Sequence, residues 1–392
     1  MIFWVINILC SATMMWLDYR IATLLKGESR KRNNFYLAAA WFFDTIPFWW
    51  WAISMLWSDN PTWMSMASMW LSFIYMIEVV ARGPFALAVV FGKGWWRIIG
   101  AIVSFTIIAI FFYGMAVTRT DYEVRNVKIE SCNLPKSFDG YRVLQFSDLH
   151  IGSMVNPERE VAKIVSIVNV QKADVIIFSG DLIEIRQSEL TPHIMSTLRE
   201  LKAKDGIYSV IGNHDRGVYV RDSITITPAM TTAQVIASER AMGWRVLDDE
   251  SAFIYRGGDS IAITGISFSQ ELQEKRHSSH LPDIGITDAY NGLNSNIFNI
   301  TISHIPQLWE QIIELGIADI TLSGHIHAMQ IKLPIGQRGI SPSQIKHKWW
   351  SGLYEESGRW LYINDGIGCA MWPMRIGARP EITVIELKST NN

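Results

Sequence analysis

The chain has 392 residues, of which 49% are hydrophobic, and its mean hydropathy of +0.14 is high for a soluble enzyme. The formal net charge is -2 at pH 7, so electrostatics gives no reason to expect nucleic acid or another polyanion as a partner. The three cysteines, Cys10, Cys132 and Cys369, lack the spacing of metal ligands and do not settle the redox compartment.

Four apolar runs fill the first 120 residues, at residues 2–19, 35–57, 63–81 and 96–117. A helix needs about 20 largely apolar residues to cross a bilayer. The second and fourth runs meet this requirement, and the first and third meet it when their ends are extended. We therefore predict a transmembrane region at residues 1–120 with about four helices. Two spans with buried hairpins are the alternative.

The basic residues of this region indicate its orientation. They gather after the first run and between the third and fourth runs: Arg20, Lys26, Arg30, Lys31, Arg32, Arg82, Lys93 and Arg97. The link at residues 58–61 carries no positive charge. The positive-inside rule places the basic loops in the cytoplasm. We predict an integral protein of the plasma (inner) membrane, with residues 121–392 on the extracytoplasmic side.

Two acidic residues fall inside the apolar runs. Asp44 lies near the middle of the second predicted span. It is either a polar site for an ion or a lipid headgroup, or a neutral carboxyl packed between helices. Glu78 precedes Arg82 by four residues, which allows the two side chains to pair on one helix face.

From residue 121 the pattern alternates between strands and helices. Predicted strands cover residues 124–129, 143–146, 175–179, 207–211, 244–247, 252–255, 260–264, 297–303, 319–323, 360–364 and 381–387. Predicted helices cover residues 158–170, 193–201, 233–242 and 306–315. Residues 270–294 read as a polar loop. This order predicts an α/β fold in which two packed sheets are flanked by helices, a four-layer α/β/β/α domain at residues 121–392.

Five of these strands end in polar side chains. The tips carry Asp148, His150, Asp181, Asn213, His214, Asp215, His304, His325 and His327. Sites in α/β sheets lie outside the carboxyl ends of the strands, so five such tips predict one cluster. A single His or Asp at a strand end is usually a cap or turn residue. The five tips together are what indicate a site.

The residue types predict a metal centre. Carboxylate, amide and imidazole groups suit Mn, Fe or Zn, and the missing thiolates argue against a structural zinc. One cation would be held by Asp148, His150 and His327, and the other by Asn213, His304 and His325. Asp181 can bridge both. Two such cations about 3.5–4 Å apart can share a hydroxide and clamp a phosphoryl oxygen for in-line attack.

The ordered blocks Asp-x-His, Gly-Asp, Gly-Asn-His-Asp, His and Gly-His-x-His resemble those of the calcineurin-like metallophosphoesterases. The resemblance extends from Tyr141 to about Leu387, and residues 364–368 and 379–383 are similar to a membrane-anchored bacterial branch. It implies the double-sheet sandwich and the same metal ligands. It also implies that His214 contacts phosphate and protonates the leaving oxygen, and that Asp215 orients His214.

The chain departs from this branch at one point. The branch usually continues Gly-His-x-His with two glycines and Gln, whereas this chain has Ala328, Met329 and Gln330. The larger side chains would narrow the space beside His327, which bears on the shape of the substrate more than on metal binding.

Other polar and aromatic residues fit surface positions. We expect His193, His277, His280 and His347 on the surface. Trp349 and Trp350 follow Lys346 and Lys348. This cationic and aromatic segment is either a collar resting on lipid headgroups or a lid packed over the domain by its own aromatic rings.

These features predict a membrane-anchored, dinuclear metal-dependent phosphohydrolase, a phosphodiesterase, pyrophosphatase or phosphatase. The expected partners are the lipid bilayer and a phosphate ester, preferably that of a lipid or a lipid-linked sugar. A receptor or scaffold that binds a phosphorylated ligand without turnover is the alternative. A transporter role centred on Asp44 is a third hypothesis, and four short-looped spans make a poor pathway for it.

Overall fold

The computed structural model describes residues 2–24, 30–221, 226–275, 281, 283–336, 338–370 and 372–390. The chain forms two compact units. The first contains residues 1–116 with 371–374, and the second contains residues 117–370 with 375–392. The predicted boundary at residue 120 lies close to this division.

The first unit is helical. Its helices are α1 (Ile2–Leu24), α2 (Arg30–Asp44), α3 (Ile46–Ser54), α4 (Thr62–Met76), α5 (Arg82–Phe91) and α6 (Trp95–Ala116). A π-helical turn, Ile77–Ala81, joins α4 to α5, so that one helix runs through residues 62–91.

Two helices of the described residues are long and apolar enough to cross a membrane, at residues 62–91 and 95–120. They contain the predicted spans at residues 63–81 and 96–117. The predicted span at residues 2–19 lies within α1, and the one at residues 35–57 is interrupted at Thr45, between α2 and α3. The structure thus supports two of the four predicted spans by length and composition.

Arg82 lies inside this long helix, so its prediction as a loop residue is wrong. Its guanidinium group lies 2.5 Å from a carboxylate oxygen of each of Glu78, Asp18 and Asp44. The predicted pair with Glu78 is present. Asp44 is fully buried and ion-paired, which fits a packed carboxyl more closely than an open polar site. Lys26 lies outside the described residues.

The second unit contains two six-stranded sheets. Their strands are β1 (Glu123–Ser131), β2 (Arg142–Phe146), β3 (Val175–Phe178), β4 (Ile207–Ser209), β5 (Arg245–Val246), β6 (Glu250–Arg256), β7 (Asp259–Ile266), β8 (Asn299–Ser303), β9 (Ile320–Ser323), β10 (Gly352–Glu356), β11 (Arg359–Ile363) and β12 (Glu381–Ser389). The strand orders are β1-β12-β2-β3-β4-β5 and β10-β11-β9-β8-β7-β6. In the first sheet β2, β3, β4 and β5 are parallel, and in the second β7, β8, β9 and β11 are parallel.

Helices cover these sheets: α7 (Pro157–Val170), α8 (Pro192–Leu198), α9 (Pro228–Ala241), α10 (Gln270–Lys275) and α11 (Trp309–Leu315). Alternate residues of β3 face opposite sides, as the period of a strand requires. Ile177 is buried with Ile302 of the second sheet, and Ile176 is buried with Ile164 of α7. The predicted four-layer α/β/β/α fold is confirmed.

Two elements differ from the predictions in ways that matter for function. Strand β10 was not predicted, and α10 lies inside the predicted polar loop.

Trp350 and Trp349 are buried, and the Trp349 ring packs edge-on against Trp309 with centroids 5.2 Å apart. These rings therefore form a packed lid, and the collar interpretation is wrong for them. His193 is exposed, as predicted, and His347 is half-buried. His277 and His280 lie outside the described residues.

Candidate metal centre

One group of ligands forms where β2 and β9 end. Nε2 of His150 lies 3.1 Å from Nε2 of His327, which in turn lies 3.1 Å from Oδ1 of Asp148. Two neighbouring ligands that each lie about 2.1 Å from one cation are separated by about 3 Å. All three side chains are buried. Their spacing therefore fits a single divalent cation.

A second group forms where β3, β4, β8 and β9 end. Nε2 of His304 lies 3.2 Å from Oδ2 of Asp181 and 3.0 Å from Oδ1 of Asn213. A ring nitrogen of His325 lies within 4.8 Å of the ligand atoms of Asp181 and His304. These donors match the second predicted set.

Asp181 connects the two groups. Its Oδ2 atom lies 3.7 Å from Nε2 of His150 and 3.2 Å from Nε2 of His304. A single carboxylate therefore borders both sets of imidazoles. The structure brings all seven residues predicted as ligands into one cluster.

The backbone around the cluster is strained. A positive φ angle is unusual for a residue other than glycine, and such strain concentrates at functional sites. Five of the seven proposed ligands adopt it: Asp148, His150, Asp181, His325 and His327. The turns that end the strands thus aim side chains inward at a cost in backbone energy.

Two glycines make room for the carboxylates. A Cβ atom on Gly212 would lie 2.1 Å from Oδ1 of Asp181, and one on Gly324 would lie 2.3 Å from Oδ2 of Asp148. Both distances are far below a normal contact. Glycine is required at these two positions because the backbone passes directly beside a proposed metal ligand.

Charges inside the cluster favour ionised carboxylates. Burial opposes ionisation of Asp148 and Asp181, but the surrounding histidines lower the pKa of both. Burial likewise opposes charge on His304, yet the Asp181 carboxylate outweighs it and raises the pKa of His304 to about 9. Burial, reinforced by His304, lowers the pKa of His325. Since a cation binds deprotonated ligands, it would compete with a proton at His304.

His214 lies beside the first group but outside the proposed ligand sets. Its Nδ1–H donates to the backbone carbonyl of Glu184 at 2.7 Å, and its backbone N–H donates to Oδ1 of Asp181 at 2.8 Å. With Nδ1 engaged in this way, Nε2 is the nitrogen that can exchange a proton with a substrate. The ring is partly exposed, at 14%.

Asp215, which the resemblance implies orients His214, binds backbone N–H groups in the structure. Its two oxygens accept hydrogen bonds from the backbone N–H groups of Asp181, Leu182, Ile183 and Gly212. Burial, reinforced by the Asp181 carboxylate, raises the pKa of Asp215 to about 7. Asp215 therefore ties the turn after β3 to the turn after β4.

Three residues beside the cluster were not predicted. Oε2 of Glu184 lies 2.8 Å from Nδ1 of His150, Tyr219 accepts a hydrogen bond from the Asn213 amide at 3.0 Å, and the buried Arg375 lies 3.2 Å from Nδ1 of His327. Glu184 follows Asp181 by only three residues, which is the one signal the sequence offers. Tyr219 and Arg375 lie outside any recognisable motif.

The family model for calcineurin-like phosphoesterases matches residues 141–329. The chain contains a calcineurin-like phosphoesterase domain. This domain is a metal-dependent phosphoester hydrolase, and its family uses two divalent cations. The predicted family, enzyme class and type of cofactor are confirmed.

Curated relatives support this assignment. The chain is similar to an uncharacterised metallophosphoesterase of Bacillus subtilis, YkuE, with 28% identity over 67% of this chain and 84% of the relative. It is similar to a transmembrane protein with metallophosphoesterase domain of Danio rerio, with 29% identity over 79% of this chain and 65% of that protein. It is also similar to the UDP-2,3-diacylglucosamine pyrophosphatase LpxG of Chlamydia trachomatis, with 23% identity over 64% of this chain and 86% of that protein.

Proposed function

We propose that this protein is a membrane-anchored phosphohydrolase whose two cations are held by the seven clustered residues. Asp148, His150 and His327 would hold one cation, Asn213, His304 and His325 would hold the other, and Asp181 would supply a ligand to both. The observation that carries this proposal is the position of the Asp181 carboxylate, 3.7 Å from His150 and 3.2 Å from His304. A carboxylate that lies beside both sets of ligands can hold two cations at the short spacing, about 3.5–4 Å, of two-metal hydrolases.

When bound, the two cations polarise the phosphoryl group and lower the pKa of a water molecule. The chain's own contribution to proton transfer comes from His214. Its Nδ1–H is fixed on the Glu184 carbonyl, so Nε2 is presented to the leaving oxygen and donates a proton to it. Tyr219 packs on His214 with ring centroids 4.5 Å apart and holds the imidazole in this orientation.

The two long apolar helices anchor the domain. The helices at residues 62–91 and 95–120 cross the membrane as a pair. The turn between them carries Lys93, and Arg97 follows this turn. These two charges support a cytoplasmic position for the turn, even with Arg82 removed from the count. The hydrolase domain, which begins with β1 at Glu123, then lies on the extracytoplasmic side of the inner membrane.

The substrate is a phosphodiester or pyrophosphate of a lipid or lipid-linked molecule. Two observations support this class. The chain is similar to a pyrophosphatase that acts on a diacylated sugar nucleotide, and the proposed anchor keeps the domain close to lipid headgroups.

Hydrolysis assays on full-length protein in detergent test the catalytic proposal. With Mn²⁺ present, we expect turnover of bis(p-nitrophenyl) phosphate, loss of that activity in Asp181→Asn and His214→Gln, and no change in the exposed-residue control His193→Gln. Absence of turnover in the parent protein, with retained binding of a phosphorylated ligand, would instead favour the receptor hypothesis.

Incubation with a membrane lipid extract identifies the substrate class. Mass spectrometry should show a phosphorylated lipid that disappears with the parent protein and persists with Asp181→Asn. For orientation, a reporter phosphatase active only outside the cytoplasm and fused after Ser389 should be active. A silent reporter would reverse the proposed topology.

A further inference from the structure

Large apolar side chains are exposed in one short segment that follows the last proposed metal ligand. They are Met329 (46% exposed), Leu333 (50%), Ile335 (57%), Ile340 (46%) and Ile345 (92%). Scattered apolar residues are ordinary on protein surfaces, but a concentration of them marks a contact surface. We refer to these five side chains as the apolar hairpin.

The apolar hairpin is held firmly by its neighbours. Leu333 and Ile340 exchange two backbone hydrogen bonds, of 2.8 and 2.9 Å. The buried Lys332 ammonium group binds Oδ2 of Asp365 at 2.8 Å. The Ser341 hydroxyl donates to the Ala328 carbonyl at 2.7 Å, directly beside the metal-binding turn. The exposure is therefore a property of the folded segment, and it is fixed next to the catalytic centre.

The segment of the chain that carries the apolar hairpin contributes charges of one sign, and one of these charges, Lys348, is paired with Glu310 at 3.1 Å. Residues 320–354 contain no aspartate or glutamate, in a chain whose net charge is -2. The same stretch contains four basic residues: Lys332, Arg338, Lys346 and Lys348. Arg338, Lys346 and Lys348 are exposed. An apolar surface rimmed by cations complements an interface of acyl chains and anionic headgroups.

We propose that the apolar hairpin inserts into the interface of an anionic phospholipid bilayer, with the rim cations on the headgroups. This rests on the proposed membrane anchor, which supplies the bilayer. A second copy of the chain fits less well because it would bring an identical cationic rim against this one. Insertion beside His327 lets an amphiphilic phosphoester reach the metal centre while its acyl chains stay in lipid.

A fluorescent probe at the apolar hairpin tests the insertion directly. In full-length protein, Cys10, Cys132 and Cys369 are replaced by serine, and Ile335→Cys is labelled with an environment-sensitive nitrobenzoxadiazole group. The control is Tyr255→Cys, since Tyr255 is 77% exposed on β6. Single copies are placed in nanodiscs of phosphatidylglycerol and phosphatidylcholine, with and without doxyl-labelled lipid.

We expect the label at residue 335 to emit at shorter wavelength and to be quenched by doxyl lipid, while the label at residue 255 is quenched far less. Quenching at residue 335 should fall in pure phosphatidylcholine and when Lys346→Gln and Lys348→Gln are combined. Equal quenching at the two positions would overturn the proposal. So would a blue shift that appears in lipid-free detergent and disappears on dilution, because a second copy would then cover the surface.

These experiments distinguish a failure of the insertion proposal from a failure of the catalytic proposal. The Asp181→Asn variant should show the same quenching at residue 335, because the label reports on position alone. Quenching without hydrolysis in the parent protein would reject the proposed activity and support insertion. Hydrolysis of the soluble chromogenic ester without quenching would reject insertion alone.

Discussion

Replacing Gly212 with alanine tests how closely the bridging carboxylate is positioned. The new Cβ atom would lie 2.1 Å from Oδ1 and 2.4 Å from the backbone nitrogen of Asp181. Restoring a normal contact requires a shift of about 1 Å or more. Rotating the carboxylate alone does not relieve the clash, because the backbone nitrogen is also too close. Asp181 must therefore move relative to both groups of ligands.

A misplacement of about 1 Å at a catalytic group costs about 10²-fold in rate, which corresponds to about 2.7 kcal/mol in transition-state stabilisation. We expect Gly212→Ala to lower kcat/KM for bis(p-nitrophenyl) phosphate by about this factor and to lower the bound Mn²⁺ content. Gly83→Ala is the control, since a Cβ atom there meets nothing within 4 Å. An unchanged kcat/KM with full metal content in Gly212→Ala would refute the positioning argument.

Three further substitutions give independent checks. Glu184→Gln removes the carboxylate that contacts Nδ1 of His150, so Mn²⁺ affinity measured by titration should fall about 10- to 100-fold, whereas exposed Glu200→Gln should leave it unchanged. Arg82→Met leaves buried carboxylates unpaired and should destabilise the helical unit by about 3–5 kcal/mol; an unfolding midpoint in detergent no lower than that of Arg240→Met would contradict this. Burial holds the pKa of Glu239 well above its usual range, so the folded state binds the extra proton and loses stability as pH rises above the unfolded pKa of about 4.3. The difference in Tm between Glu239→Gln and the parent should therefore favour the variant more at pH 8 than at pH 5. An equal difference at both pH values would contradict the predicted sign of the pH dependence.

The metal centre could be predicted from the sequence because its ligands follow apolar strand runs. A strand such as Val175–Phe178 is recognisable from local composition, and its carboxyl end fixes where Asp181 lies. The topology then brings the tips together. Residues that reach the site from irregular segments carry no such signal. Arg375 contacts His327 across 48 positions of the chain, and no periodicity indicates that contact.

The roles of individual charges were harder to predict than their positions. Asp215 lies beside the site, but its carboxylate is occupied by backbone N–H groups, which only the three-dimensional arrangement of two turns reveals. Arg82 looked like a loop charge because a basic residue among apolar ones usually ends a span. A continuous helix was not expected there, since the partners that neutralise the charge, Asp18 and Asp44, come from distant parts of the chain.

Anomalous diffraction at the manganese edge, from crystals of the full-length protein grown with Mn²⁺, would locate the proposed cations. We expect two anomalous peaks per chain, about 3.5–4 Å apart, with the Asp181 carboxylate between them. A single peak, or two peaks whose ligands do not include Asp181, would contradict it.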